Sequence, residues 1–390
     1  MSIATIDLAS KTGSPKAELK IEHAAPSERV QSIDVLRGFD MFWISGGDHF
    51  FQALAMATGW TWAIGFSRQL SHSDWAGFTF YDLIQPLFLF ITGITLPLSV
   101  GRRLARGQTR WEIFRRLLSR TVLLVILGHL DKNGPVSFDF ANLRFTSVLG
   151  RIGVAGLFAG VIMMFTRPRA QILWVIGILG TYWALLTFVP APGQPSPSYE
   201  QGVNIVDYLD QHVMPGKLRS GNHDANGWFS TPPVVAMVLL GALAGGWLLS
   251  ARSLRHKVVG LLAAGLILLA LGWLWGLQFP IIKHIWTSSY VLYTAGWSCL
   301  LLGIFYGIVD GLRWSRWGFP FLLIGMNPLV IYILINTGLV NFPYIARFFF
   351  GFSLAHAAPA MVPVWEAAAT MAVQFLFLYW LYRRKLFWRV

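Results

Sequence analysis

Residues 78–100 read FTFYDLIQPLFLFITGITLPLSV, and Asp82 is the only charged residue among them. At 1.5 Å of rise per residue, a helix needs about twenty apolar residues to cross the hydrocarbon of a bilayer. This stretch meets that length, and Pro86 inside it predicts a kink. Nine further runs of the same kind lie at about 33–56, 116–130, 148–166, 171–189, 232–250, 258–277, 288–310, 319–340 and 363–382; the one at 116–130 is short, with room to extend through Leu143. Hydrocarbon admits only helices and closed barrels, because nothing else satisfies the backbone without water. Runs near twenty residues select helices. The expected fold is therefore all-α, a polytopic transmembrane helical bundle of about ten spans.

Composition points the same way. Hydrophobic residues make up 55% of the 390 positions and charged residues 13%, whereas a soluble domain carries about 25% charged residues. The mean hydropathy is +0.55. A net charge of +13 would suit nucleic acid, but the basic residues sit in short clusters between apolar runs, so no nucleic-acid partner is expected. The lipid bilayer is the expected partner instead. Cys299, the one cysteine, lies in an apolar run and reads as a packing residue. Residues 1–30 are polar and lack the apolar core of a signal peptide. They read as a disordered cytoplasmic leader ahead of one membrane domain, 31–390.

The lysines and arginines orient the bundle. With the N-terminus inside, 22 of the 31 fall in inside segments and seven in outside loops. The bias alternates along the whole chain, so both termini are expected in the cytoplasm. Seven arginines between 101 and 120, including Arg102 and Arg103, read as a cluster at the anionic cytoplasmic leaflet, or as part of a site for a phosphorylated cytoplasmic donor.

Several polar residues stand where a membrane makes them expensive. In SIDVLRGFDMFWISGGDHF (32–50), the spacing of Asp34, Arg37, Met41, Ser45 and Asp48 places them on one stripe of an α-helix. Asp34 and Arg37 can pair one turn apart, as a structural ion pair or as part of a site. Asp48 has no cation close in sequence, and an intramembrane carboxylate of that kind points to function. His72 and Trp75 precede the second span, and Asp82 and Gln85 open it. A lone loop histidine is more often solvated than catalytic, and flanking tryptophans suit an interfacial belt. Arg151, the segment NHDANGWFST (222–231) and KHIWTSSY (283–290) lie at outer ends of spans, while Asn327 before Pro328 marks a broken helix. The polar groups thus gather as they would around a pocket open to the periplasm. The spacing of His212, His223 and Asp224 is weak for a metal, and none is expected. Gly241 and Gly245 in GALAGG read as helix packing.

Six segments carry a family resemblance: SIDVLRGFDMFWISGGD (32–48), HSDWAGFTFYDLIQPLFLFITG (72–93), SVLGRIG (147–153), DANGWFST (224–231), IWTSSYVLYTAG (285–296) and GMNPLVIY (325–332). In this order they resemble the heparan-α-glucosaminide N-acetyltransferase family, especially its bacterial NagX-like members. The end of the first span, ISGGDHF, departs from the asparagine-containing pattern of the animal enzymes, and Asp48 stands there. The resemblance implies transfer of acetyl from cytosolic acetyl-CoA to the amino group of a glucosamine-type sugar on the far side of a bacterial inner membrane. It also implies that His72, in the HxxW block, is the catalytic residue.

Amine acetylation near neutral pH needs a base such as histidine and donors for a tetrahedral oxyanion. Asn327, Trp286 and Arg151 are candidates for the donors. Asp48, Asp82 and Asp224 are candidates to hold an ammonium or sugar hydroxyls, and Trp75 or Trp286 to stack on the sugar. Arg37, Arg102 and Arg103 are the expected contacts for the CoA phosphates. His72 is expected to serve as base or acetyl carrier. A secondary transporter for an amino sugar or its N-acetyl form fits the same polar pattern, and a homo-oligomer is left open.

Overall fold

The computed structural model of the chain describes residues 30–134 and 142–388. All regular structure there is helical; the extended pairing consists of two isolated bridges, Ala76 with Ile282 and Arg144 with Gly216. The 1–30 leader lies outside the described residues except for Val30.

Among the described residues, six helices are long and apolar enough to cross a membrane: Phe80–Ala105, Val148–Phe165, Pro168–Phe188, Leu254–Gly276, Ser288–Gly311 and Pro359–Arg383. A seventh is Arg316–Met326 with Pro328–Asn336, counted as one span bent by 63° at Asn327. The other three expected runs are helical but fall short by those two measures. Gln31–Phe42 continues through a π turn into Asp48–Thr58 and carries Asp34, Arg37, Asp40 and Asp48. Arg110–Asn133 is rich in arginine, and Pro232–Leu248 is shorter than the rest.

Pro232–Leu248 is apolar on every face and is buried accordingly. Its glycines set how closely it packs. A Cβ at Gly241 would collide with the Phe90 carbonyl, and one at Gly93 with that of Val238. The helix is thus clamped backbone to backbone against Ile84–Leu96. Gln31–Phe42 meets Phe319–Met326 in the same way, through Gly38 and Gly325.

The first helix does not keep the stripe expected of it. Trp43–Gly47 is a π turn with Gly46 at φ 123°, which widens the turn and rotates everything after it. Met41 and Ile44 face one cavity, whereas Ser45 turns toward Gln374 and Leu378 of the last helix. The Asp34–Arg37 pair forms, at 3.2 Å.

Candidate active site

His72 lies in the loop between Thr61–Gln69 and the 3-10 turn Phe80–Leu83 that starts the second span. Two backbone contacts place this loop against the one at 277–287: the Ala76–Ile282 bridge, and the Gly77 N–H donating to the Ile281 carbonyl at 2.9 Å. That junction delivers Lys283 to His72, 211 residues away in sequence.

Asp82 is fully buried beneath them. Its Oδ2 accepts from the Ser73 N–H (3.2 Å) and hydroxyl (2.9 Å), and from the Thr79 N–H and hydroxyl at 3.1 Å each. Its Oδ1 lies 2.9 Å from His72 Nδ1 and 3.2 Å from Lys283 Nζ. A carboxylate only accepts, so the Asp82 bond calls for the proton on Nδ1, and with Nδ1 protonated the Lys283 ammonium can donate only to Nε2. Lys283 Nζ is 2.7 Å from Nδ1 and 3.2 Å from Nε2. Burial pushes the lysine down to about 8, with Asp82 pulling the other way. The His72 side chain remains 46% exposed, open to a ligand on its free edge.

His72, Lys283 and His284 head a cleft of about 220 Å³ that runs into the bundle past Gln85, Phe88 and Ile152. Gln85 donates to Asn226 across it at 3.1 Å. His284 is stacked on Trp75, with ring centres 5.1 Å apart and planes 11° apart, and burial holds it neutral at about 4. Below the cleft, Ile152 also borders a narrow cavity with Thr92, Leu96 and Arg120. Arg120 lies close enough to Arg37 for the two charges to repel.

The structure gathers few of the expected site residues around this cleft. Asp82 holds His72 and Lys283 in place and has no oxygen left for a sugar. Asp48 accepts from the Tyr81 hydroxyl at 2.9 Å, and the Tyr81 ring centre is 4.8 Å from that of His72, so Asp48 supports the site from behind. Trp75 donates to the Tyr199 carbonyl and gives one face to His284. Asp224 is paired with Arg144 at 2.7 and 2.8 Å, and also accepts from Thr146 and from the Arg219 and Asn226 N–H groups.

Three expected oxyanion donors are placed otherwise. Arg151 is buried, donating to the Ala225 and Gly227 carbonyls and to the Ser230 hydroxyl, which pins the 224–231 loop. Trp286 is fully buried beside Arg151. Asn327 bonds the Leu386 carbonyl and the Trp388 N–H, tying down the chain after the last helix. Arg102 and Arg103 form a short helix some 20 residues beyond Asp82, about 30 Å along the span, with Arg103 bonded to Gln108.

Lys283, His284 and Asn226 fell within polar segments that the sequence marked at outer ends of spans, but were not named as site residues, and Arg219 was not marked at all. The one signal for the first two was a charged dipeptide, KH, directly before an apolar run.

These features define a multi-pass α-helical membrane protein with a buried carboxylate, an imidazole and a lysine at the head of a cleft. No family model matches the chain. Among curated proteins, the heparan-alpha-glucosaminide N-acetyltransferase of Mus musculus is 27% identical over 378 residues, covering 82% of this chain and 56% of its own length. The Homo sapiens protein of the same name is 26% identical over 421 residues, covering 93% and 60%. The chain thus spans less than two thirds of the curated relatives it matches, and it is a relative of the heparan-α-glucosaminide N-acetyltransferases.

Proposed function

We propose that this protein is a membrane N-acetyltransferase that moves acetyl from acetyl-CoA to the amino group of a glucosamine-type sugar, with His72 as the catalytic residue. The observation that carries the reading is the His72–Asp82–Lys283 cluster at the head of a cleft leading into the bundle. The bundle has about ten spans with both termini in the cytoplasm of a bacterial cell, as the distribution of lysine and arginine suggests. The His72 end then faces the periplasm and the arginine-rich end the cytosol.

The chemistry follows from where the protons sit. Asp82 keeps Nδ1 protonated, so Nε2 is the atom that acts, either as base toward the attacking amine or as transient acetyl carrier. In direct transfer the neutral amine attacks the thioester carbonyl, and Nε2 takes the proton that the new C–N bond makes acidic. Collapse of the tetrahedral adduct breaks the C–S bond, and the imidazolium returns a proton to the CoA sulfur. The Lys283 ammonium stands close to Nε2 and supplies charge for the oxyanion of that adduct. Arg120 lines the deeper cavity, Arg37 lies near Arg120, and the two suit the CoA phosphates.

Purified protein in detergent, given acetyl-CoA and glucosamine, is expected to yield N-acetylglucosamine and free CoA thiol without any membrane gradient. His72→Ala is expected to abolish both. A secondary transporter would instead move labelled sugar into vesicles with no chemical product. Full turnover by His72→Ala would overturn the catalytic assignment.

A further inference from the structure

The charge of the cleft is not what a cationic acceptor needs. Among the described residues its lining includes His72, Arg219, Lys283 and His284 and no aspartate or glutamate. Four carboxylates near it are committed to partners within the fold. Asp82 is taken by His72 and Lys283, Asp224 by Arg144, and Asp48 by Tyr81 and His49. Asp207 accepts from His223, Asn204 and the Gly202 N–H. An ammonium entering here meets like charge and no carboxylate in the lining, so the cleft favours the amine in its neutral form. Something other than the amine must then hold the acceptor.

Arg219 is the group placed to do so. Its backbone N–H donates to Asp224 Oδ2 at 3.1 Å, which fixes the turn that carries it. Its guanidinium is exposed at the cleft and makes no hydrogen bond or ion pair among the described residues. Lys283 cannot take this part, because its ammonium is buried and paired with Asp82. A free guanidinium beside a carboxylate-free cleft is a receptor for a planar or tetrahedral oxyanion, which it binds through paired N–H donors.

We propose that the acceptor is an amino sugar bearing an anionic group (phosphate, sulfate or carboxylate) and that Arg219 holds that anion at the mouth of the cleft while the neutral amine reaches His72. The inference rests on the acetyltransferase reading above and names the substrate class of the same site. The diphosphate of acetyl-CoA offers the same chemistry, so the experiment must separate donor from acceptor.

The full chain in detergent is assayed at saturating acetyl-CoA with glucosamine, glucosamine 6-phosphate, glucosamine 6-sulfate and muramic acid, and acetylated product is read by mass. At least one anionic acceptor is expected to exceed glucosamine in kcat/KM by about tenfold. Arg219→Gln is expected to bring that ratio close to one, Arg219→Lys to retain part of it, and added salt to weaken it. A ratio of one or below for all three anionic sugars sinks the proposal, and so does a preference that survives Arg219→Gln. If Arg219→Gln raises the KM for acetyl-CoA and leaves the acceptor ratio alone, the anion belongs to the donor and the acceptor assignment is wrong. Acetylation of glucosamine without any anionic preference removes this proposal only, whereas no acetylation of any sugar removes the acetyltransferase reading with it.

Discussion

Lys283 Nζ lies 2.7 Å from His72 Nδ1, although 211 residues separate the two in the chain. The contact depends on two loops that meet backbone to backbone at Ala76 and Ile282. Both nitrogens lean on the same oxygen of a fully buried aspartate. The geometry therefore makes the cluster one unit, and removing any member should disturb the other two.

Replacing Asp82 by Asn tests the tautomer argument. The amide can donate to Nδ1, which would move the imidazole proton to Nε2 and leave no lone pair facing the cleft. A fall in kcat of about 10²- to 10⁴-fold is expected, with little change in the KM for acetyl-CoA. The same change strips Lys283 of its buried counter-charge, so some loss of thermal stability is expected too. The double variant Asp82→Asn, Lys283→Met isolates the stability effect: the melting temperature should return, while activity stays low for want of both groups. Recovery of activity together with stability would show that Asp82 matters only to folding.

Lys283 predicts an alkaline limit to turnover. Burial lowers it from 10.5 to about 8, so the ammonium is lost as pH rises through 8. If that ammonium stabilises the oxyanion, kcat should fall above about pH 8, and Lys283→Arg, which keeps its charge, should move the limit upward. The sign for stability is opposite. Between pH 8 and 10.5 the unfolded lysine holds a proton that the folded one has released, so this group makes the fold more stable as pH rises there. Activity that declines while the melting temperature holds or climbs identifies the titration. A matching decline in both would mean that the protein is merely unfolding.

Asp224 and Arg144 should behave as structural partners. The Asp224 side chain has no exposure, and it ties Arg144, Thr146 and two backbone N–H groups together. Arg144→Ala leaves that carboxylate buried and unpaired, at a cost of about 3–5 kcal/mol. The expected result is a large fall in melting temperature, with the KM for acceptor little altered in whatever folded protein remains. A selective rise in acceptor KM with an unchanged melt would return Asp224 to the list of substrate contacts.

The legible part of this protein was the part written in local pattern. Apolar runs of about twenty residues marked the helices because a bilayer demands that length, and Gly241 marked close packing because only glycine lets two backbones touch. His72 stood out through a motif, not through its surroundings. What could not be read was partnership across the chain. Asp82, Asp224 and Asp48 looked like substrate ligands because a principal partner of each, Lys283, Arg144 and Tyr81, sits tens to hundreds of residues away. Arg151 misled for the same reason, since its acceptors are backbone carbonyls at 225 and 227, which no side-chain pattern announces. The first helix failed differently: one π turn at Trp43–Gly47 breaks a stripe that assumes 3.6 residues per turn throughout.

Gly241 and Gly246 belong to one short segment, GALAGG, and should respond in opposite ways to the same change. A methyl group at Gly241 meets the Phe90 carbonyl, a backbone atom that cannot step aside without moving its helix. At Gly246 a methyl meets nothing within 4 Å. Gly241→Ala should therefore cost about 1–3 kcal/mol through overpacking, whereas Gly246→Ala should be neutral or gain about 0.5–1 kcal/mol from reduced backbone freedom. The strain at Gly241 also has a route to the cleft. The helix it pushes, Ile84–Leu96, carries Gln85, which meets Asn226 just ahead of Pro232–Leu248, and follows directly on the turn that holds Asp82. Gly241→Ala is accordingly expected to lower both the melting temperature and kcat, and Gly246→Ala to lower neither. Equal tolerance at the two positions would mean that the clamp between these helices is looser than its backbone contacts require.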